Sequence, residues 1–430
     1  MSEASLARRL GTGDAVVIGL GSMIGAGVFA AFAPAAAAAG TGLLIGLALA
    51  AGVAYCNAVA SAQLAAQYPT SGGTYVYGRE RLGEWWGFLA GWGFVVGKTA
   101  SCAAMALTFA SYAVPGSTWA QRLAALAAVV ALTTANYHGI TRTAGLARIL
   151  VAVSVAALLV VVGAIAASGG TDTANLGGSG SLWSGGLYGV LQSAALLFFA
   201  FAGYARIATM GEEVREPEHT IPKAIPIALG ITVALYAVVA LTCLLAAGPH
   251  ALAASTAPVA TAAKLAGAAW AVPVVRIGAA VASLGALLAL IAGIGRTSLA
   301  MSRNGDLPHW LAAVHPRYRV PAHAELAVAA VVSVLVLTTD LRGAIGFSSF
   351  GVLTYYAVAN ASAYTQPAER RRWPRSLNVA GFVGCAALAV TLPWSSVVAG
   401  LVVVAVGLAG RLIVRRTPGP ARLARGKEQP

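Results

Sequence analysis

Gly21-Ser22-Met23-Ile24-Gly25-Ala26-Gly27-Val28-Phe29 is the stretch that decides how this chain is read. It falls in the middle of a long apolar run, where a membrane helix would be expected to continue. Gly21, Gly25 and Gly27 weaken a helix there, because glycine loses the most backbone entropy on ordering and adds no side-chain packing. A helix interrupted inside a bilayer exposes N–H and C=O groups that hydrocarbon cannot satisfy. Such an interruption persists only where protein or a watery cavity covers it. The stretch therefore predicts a binding site at membrane depth. A close-packing face over Gly21 and Gly25 is the competing reading of the same residues.

Composition sets the class. The chain has 430 residues, 58% hydrophobic and 10% charged, with a mean hydropathy of +0.78. A soluble domain carries about 25% charged residues, so this is an integral membrane protein. Cys56, Cys102, Cys243 and Cys385 lie in apolar runs without a CxxC pair and read as small buried hydrophobes. The six histidines fall at segment ends or in loops. With no HExxH, no Cys/His cluster and no Walker loop, neither a metal nor a cofactor is expected. The N-terminus, with Arg8 and Arg9 ahead of the apolar run, lacks a small-residue cleavage site and reads as a retained first helix.

A hydrocarbon core of about 30 Å takes about 20 helical residues to cross. That ruler predicts an all-α polytopic protein of twelve spans, at 12–39, 42–65, 85–113, 120–138, 143–167, 187–211, 223–247, 268–300, 324–339, 343–365, 376–393 and 395–414. The third and eighth are long and the ninth is short. With the N-terminus inside, all 28 basic residues except Lys98, Arg122, Arg206, Lys264, Arg276 and Arg342 fall in inner segments. The Gly/Ser-rich loop 168–186 holds no Lys or Arg and lands outside. The positive-inside rule thus places both termini in the cytoplasm. It also accounts for most of the +14 charge without a nucleic-acid partner. The basic tail 415–430 reads as a topology anchor, with anionic lipid as its alternative partner. The run Gly211–Pro222 is densely charged and ends in prolines, which bar one continuous helix.

The sixth span repeats the feature of the first. Phe198-Phe199-Ala200-Phe201-Ala202-Gly203-Tyr204-Ala205-Arg206 again sets a glycine inside an apolar run, with aromatics before it and a charge after it. Spans one and six open two successive five-helix units, and five crossings invert direction. Broken segments at matching positions of two inverted halves are the best sequence pointer to a secondary-transporter site. The predicted organisation is a cytoplasmic N-terminus (1–11), a first repeat (12–167), an outer loop (168–186) and an inverted second repeat (187–365). Helices eleven and twelve (366–414) and the tail (415–430) complete it.

The chain resembles bacterial amino acid permeases of the amino acid–polyamine–organocation superfamily, which share the five-plus-five inverted-repeat fold of the leucine transporter. The likeness rests on Gly21–Phe29, on Ser71-Gly72-Gly73-Thr74-Tyr75 and on Phe199–Gly203. It rests also on Glu212-Glu213-Val214 with Ile221-Pro222-Lys223-Ala224-Ile225, and on Ala300-Met301-Ser302-Arg303-Asn304-Gly305-Asp306-Leu307-Pro308. The resemblance implies discontinuous first and sixth spans. It implies a substrate carboxylate held by backbone N–H groups of Ser22, Met23, Ile24, Gly25, Ala26 and Gly27. The substrate amino group would be held by carbonyls around Phe199, Ala200, Phe201, Ala202 and Gly203. Phe201 matches an aromatic that covers the substrate as a gate. Half-helix ends supply such donors and acceptors without charged side chains.

Lys98 and Arg206 are the basic residues placed well within spans, and an ionisable group at that depth is a functional candidate. Relatives that carry cationic substrates often place a carboxylate just after the span-six glycine, where this chain has Tyr204 and Ala205. A neutral or net-negative amino acid is therefore the expected substrate. Some proton-coupled relatives carry a lysine in span five, where this chain has only Ser154. Lys98, desolvated and able to exchange a proton, is the candidate replacement, and a proton is favoured over sodium as coupling ion. The expected protein is an amino acid permease of the cytoplasmic membrane working by alternating access, without covalent chemistry. A cationic amino acid/polyamine exchanger is the alternative within transport, and a membrane-embedded lipid-linked transferase the alternative outside it.

Overall fold

The protein is described by a computed structural model, for residues 10–70, 72–138, 144–177, 183 and 185–416. Most of the predicted tails, Ser71 of the Ser71–Tyr75 motif, Arg142 and part of the 168–186 loop lie outside the described residues. Among those described the chain is helical, its one bridge tying Leu10 to Val214. The apolar run around the opening stretch gives α1 (Thr12–Met23), α2 (Gly27–Ala30) and α3 (Phe32–Ala39). There follow α4 (Leu43–Gln67), the short α5 (Thr74–Leu82), α6 (Glu84–Ala113), α7 (Thr118–Tyr137) and α8 (Ala144–Ala167). A turn of helix in the next loop is α9 (Ala174–Gly177), and the sixth apolar run gives α10 (Gly186–Phe201) and α11 (Ala205–Ala208). The remainder is α12 (Pro217–Ala253), α13 (Pro258–Leu265), α14 (Val272–Arg303), α15 (Ala322–Thr338), α16 (Leu341–Tyr364), α17 (Arg375–Thr391) and α18 (Trp394–Arg416).

Eight helical stretches among the described residues are long and apolar enough to cross a membrane, and α15 and α17 are shorter apolar helices. The protein is therefore a multi-pass membrane protein. Burial separates its centre from its rim: 78% of the apolar window of α6 is buried, against 22% in α18. Without water to drive helices together, small residues let backbones approach. A Cβ on Gly351 would stand 2.7 Å from the Cα of Gly97, so α16 and α6 touch backbone to backbone at the centre. Ser101 and Ser348 then share a 2.6 Å hydrogen bond across the same seam.

The charged connection is shorter than the sequence predicts. α12 begins at Pro217, where the missing N–H of a first-turn proline loses no hydrogen bond, and it carries Pro222 and Pro226 inside. Helix is interrupted only across 209–216, where Leu10 accepts from Arg215 N at 2.9 Å and donates to Glu213 O at 3.1 Å. At the other end of α12, Pro249 cannot donate to the carbonyl of Leu245. Asp172 N (3.0 Å) and Asn175 Nδ2 (2.8 Å) donate to it instead, which docks the loop after α8 onto α12.

Candidate functional site

The two glycine-bearing stretches meet. α1 stops at Met23, Ile24 N donates to Leu20 O at 2.7 Å, and α-helical bonding resumes when Ala30 N reaches Ala26 O at 3.0 Å. α10 stops at Phe201, and a 3-10 turn over Ala202–Tyr204 leads into α11. A Cβ on Gly27 would stand 2.5 Å from the Cα of Ala200, and one on Gly203 would stand 2.2 Å from the carbonyl oxygen of Ser22. A Cβ on Gly25 would lie 2.8 Å from that of Ala286 on α14. None of these glycines has a positive φ. Their role is steric: they allow the interrupted helices to cross at backbone distance. Close packing and helix interruption, which the sequence presents as competing readings, occur at the same residues.

The carbonyls around the crossing are taken by a few long side chains. Tyr236 of α12 reaches both Met23 O (2.5 Å) and Ala200 O (3.1 Å) with one hydroxyl. Lys98 Nζ donates to Ala202 O at 3.1 Å, and the Tyr356 hydroxyl donates to the same oxygen at 3.3 Å. Further along, Tyr112 donates to Phe29 O at 2.8 Å and packs edge-on against the Phe29 ring. One hydroxyl proton cannot fully satisfy two acceptors, so the carbonyls at the crossing keep capacity for another donor.

A cavity of about 800 Å³ opens along this crossing, within the range of small-molecule sites. Ser22, Met23, Ile24, Gly25 and Gly27 line it from the first stretch, and Phe199, Ala202 and Gly203 from the second. Ala26, Ala200 and Phe201 do not line it. Phe201, the expected gate, is fully buried with its ring 5.2 Å from that of Tyr236. Phe199 and Phe94 are the phenylalanines on the wall. The three expected polar candidates all line the cavity. Lys98 is 6% exposed. Ser154 is turned to Leu150 O at 2.7 Å. Arg206 sits on the short α11 with Glu213 at 3.7 Å. Arg296 and Arg303 of α14 add two cations, and Glu213 is the one carboxylate among the described lining residues.

Beyond the cavity mouth lies a charged cluster that the sequence does not disclose. Asp306 is buried and accepts from Tyr75 (2.8 Å), Arg79 (2.9 Å) and Arg411 (2.8 Å). The Arg411 guanidinium lies 4.3 Å from the ring centre of Trp85 and 4.9 Å from that of Phe88, a cation–π arrangement. Arg415 pairs with Glu84 beside it. Burial, and after it the Asp306 carboxylate, keeps the Tyr75 phenol protonated far above its usual range, so it remains a donor. Tyr75 also lines the cavity, which links this cluster to the site.

A family model described as amino acid permease matches residues 10–417. The chain belongs to the amino acid permease family. It is 61% identical over 417 residues to an uncharacterized transporter of Mycobacterium tuberculosis (strain ATCC 25618 / H37Rv), covering 96% of this chain and 93% of the relative. It is 27% identical to the branched-chain amino acid permease BcaP of Bacillus subtilis (strain 168), over 94% of this chain and 92% of that protein. To cationic amino acid transporter 4 of Homo sapiens it is 30% identical, over 84% of this chain and 60% of the relative. The protein is thus a membrane transporter of the amino acid permease type.

Proposed function

We propose that the protein carries neutral or net-negative amino acids across the cytoplasmic membrane by alternating access, coupled to protons. The crossing of the two interrupted helices along one wall of the cavity supports this reading above all else. On this reading N–H groups within Ser22–Gly27 would hold a substrate carboxylate and carbonyls within Phe199–Gly203 its amino group; Ser22, Met23, Ile24, Gly25, Gly27, Phe199, Ala202 and Gly203 line the cavity. Twelve spans would build the scaffold: five-helix units 12–167 and 187–365 in opposite orientations, followed by two further helices. Both termini would be cytoplasmic. In that orientation the cavity runs toward the inner face, past Leu10, Glu213 and Arg303. The opposite side is packed with buried Phe29 and Tyr112, as in an inward-facing state.

Charge supports the substrate class. Lys98, Arg206, Arg296 and Arg303 face the cavity against the single Glu213 carboxylate, so arginine, lysine or a polyamine would be repelled. Three relatives named as cationic amino acid transporters keep a cationic substrate as the second reading. Lys98 would be the coupling group, its ammonium held on the carbonyl that the substrate ammonium also approaches. Proteoliposome uptake decides between the readings, with serine, alanine, leucine, glutamate, arginine and putrescine tested under imposed pH and sodium gradients. Serine, alanine, leucine or glutamate flux driven by the pH gradient is the expected result, lost in Lys98→Met. Strong arginine or putrescine flux with none of the others would overturn the substrate class. Intact pH-driven accumulation in Lys98→Met would remove that residue from coupling.

A further inference from the structure

A second carboxylate is buried close to the cavity, on the far side of α14. Glu325 lies in the first turn of α15, is 2% exposed, and its Oε2 has no hydrogen-bond partner. A buried carboxylate oxygen without a hydrogen-bond partner is costly as an anion, and a bound proton relieves that cost. The backbone is shaped to admit it: a Cβ on Gly295 of α14 would stand 2.9 Å from Glu325 Cγ and 3.1 Å from Pro321 Cγ. Glycine at that position lets the Glu325 side chain pack directly against α14.

The helices α14, α7 and α6 and the turn His309–Ala312 pack on α15. On α14, Arg296 follows Gly295, the residue packed against the Glu325 side chain, which brings its guanidinium charge to bear on the carboxylate. Arg296 makes no hydrogen bond to Oε2 and lines the cavity. Arg303 of α14 also lines the cavity, and Arg276 lies near the opposite end of that helix. On α6, Lys98 is held on Ala202 O and Glu84 is paired with Arg415. On α7, Arg122 lies over Trp119 near the far end, while Tyr137 and His138 stack with His315 and Tyr318. His309 is exposed, and His323 of α15 turns its Nδ1 to Trp310 O at 2.9 Å.

We propose that Glu325 is a proton-binding site whose occupancy is linked through Arg296 to the loading of the cavity. When the cavity is empty, Arg296 offsets the Glu325 carboxylate. A substrate carboxylate bound on the first stretch, in the same cavity that Arg296 lines, weakens that offset, and Glu325 takes a proton from solvent. Proton and substrate then bind together, and the linkage acts equally in both directions. This inference rests on the transport reading above, and goes beyond it by placing a coupling proton outside the cavity.

The test uses the full chain in proteoliposomes with L-glutamate and L-serine as probes. Glu325→Gln holds the group in a neutral form. Its pH-gradient-driven accumulation should fall at least tenfold, while substrate counterflow stays within twofold of wild type. Wild-type accumulation in the variant overturns the proposal. So does loss of both accumulation and counterflow that Glu325→Asp fails to restore, since that marks a structural role. Infrared titration of the same vesicles without substrate reads the proton directly. A carboxylic-acid band absent from Glu325→Gln supports the site, and an unchanged band overturns it. If the wild type moves no amino acid, the transport reading fails while the infrared result still stands or falls for Glu325.

Discussion

Two regions of this transporter handle buried polar groups in opposite ways. At the Asp306 cluster every charge is met by another, and one carboxylate, just past the end of α14, collects three donors, two from α5 and one from α18. At the helix crossing the exposed groups are backbone atoms, met by two tyrosine hydroxyls and one lysine. Charge pairing suits a part that must stay fixed, because breaking one partner leaves a buried charge behind. Under-saturation suits a part that must release its contacts to a ligand and take them back. If the crossing is the substrate site proposed above, the contrast separates holding from binding.

The sharpest way to break that contrast is Asp306→Ala. It strands the buried Arg411 and the half-buried Arg79, at a cost of about 3–5 kcal/mol. Thermal unfolding in detergent should show a large drop in midpoint, and a wild-type midpoint would mean that the cluster holds nothing together. Gly203→Leu comes next. Its Cβ would fall 2.2 Å from Ser22 O, so uptake should fall below one hundredth of wild type (about 2.7 kcal/mol or more) while the protein still inserts. Gly25→Leu should act in the same direction through Ala286. Full transport in either variant would refute the crossing as the site.

Tyr236→Phe tests the sparse side more gently. It removes the single proton shared by Met23 O and Ala200 O, a loss of about 1–3 kcal/mol. A kcat/KM reduction of about tenfold is expected with expression unchanged; an unaltered value would leave the hydroxyl without a role in holding the crossing. Phe201→Leu should do least. Its ring packs on Tyr236 away from the cavity, so the small void left by leucine costs about 1 kcal/mol of stability, and substrate KM should hold. A raised KM from Phe201→Leu together with none from Phe199→Ala would return the gate to Phe201.

The two glycine-bearing stretches stand out in the sequence because glycine inside an apolar run is a local signal, and Lys98 stands out as a charge inside such a run. Rotation about the helix was not. Phe199 and Phe201 are two residues apart, about 200° around an α-helix, and nothing in the sequence tells which of them faces the cavity. Tyr236 lies mid-helix without a motif around it, and its partners Met23 and Ala200 are distant in sequence. Arg411 reads as one more inner basic residue, yet it is buried on an aspartate 105 positions away. Glu325 reads as a span-end acid and is 2% exposed. Such pairings are products of packing, and periodicity carries no record of them.

The double glycine contact constrains how the molecule can move. Gly27 seats Ala200, and Gly203 seats Ser22, at two separate points of one crossing. Sliding either strand of the crossing along its axis would drive a methyl group or a carbonyl out of its notch at both points. Rotation about the crossing disturbs neither. The shear modes available to packed helices are thus opposed there, and the geometry favours rotation about the crossing, as a hinge pin does.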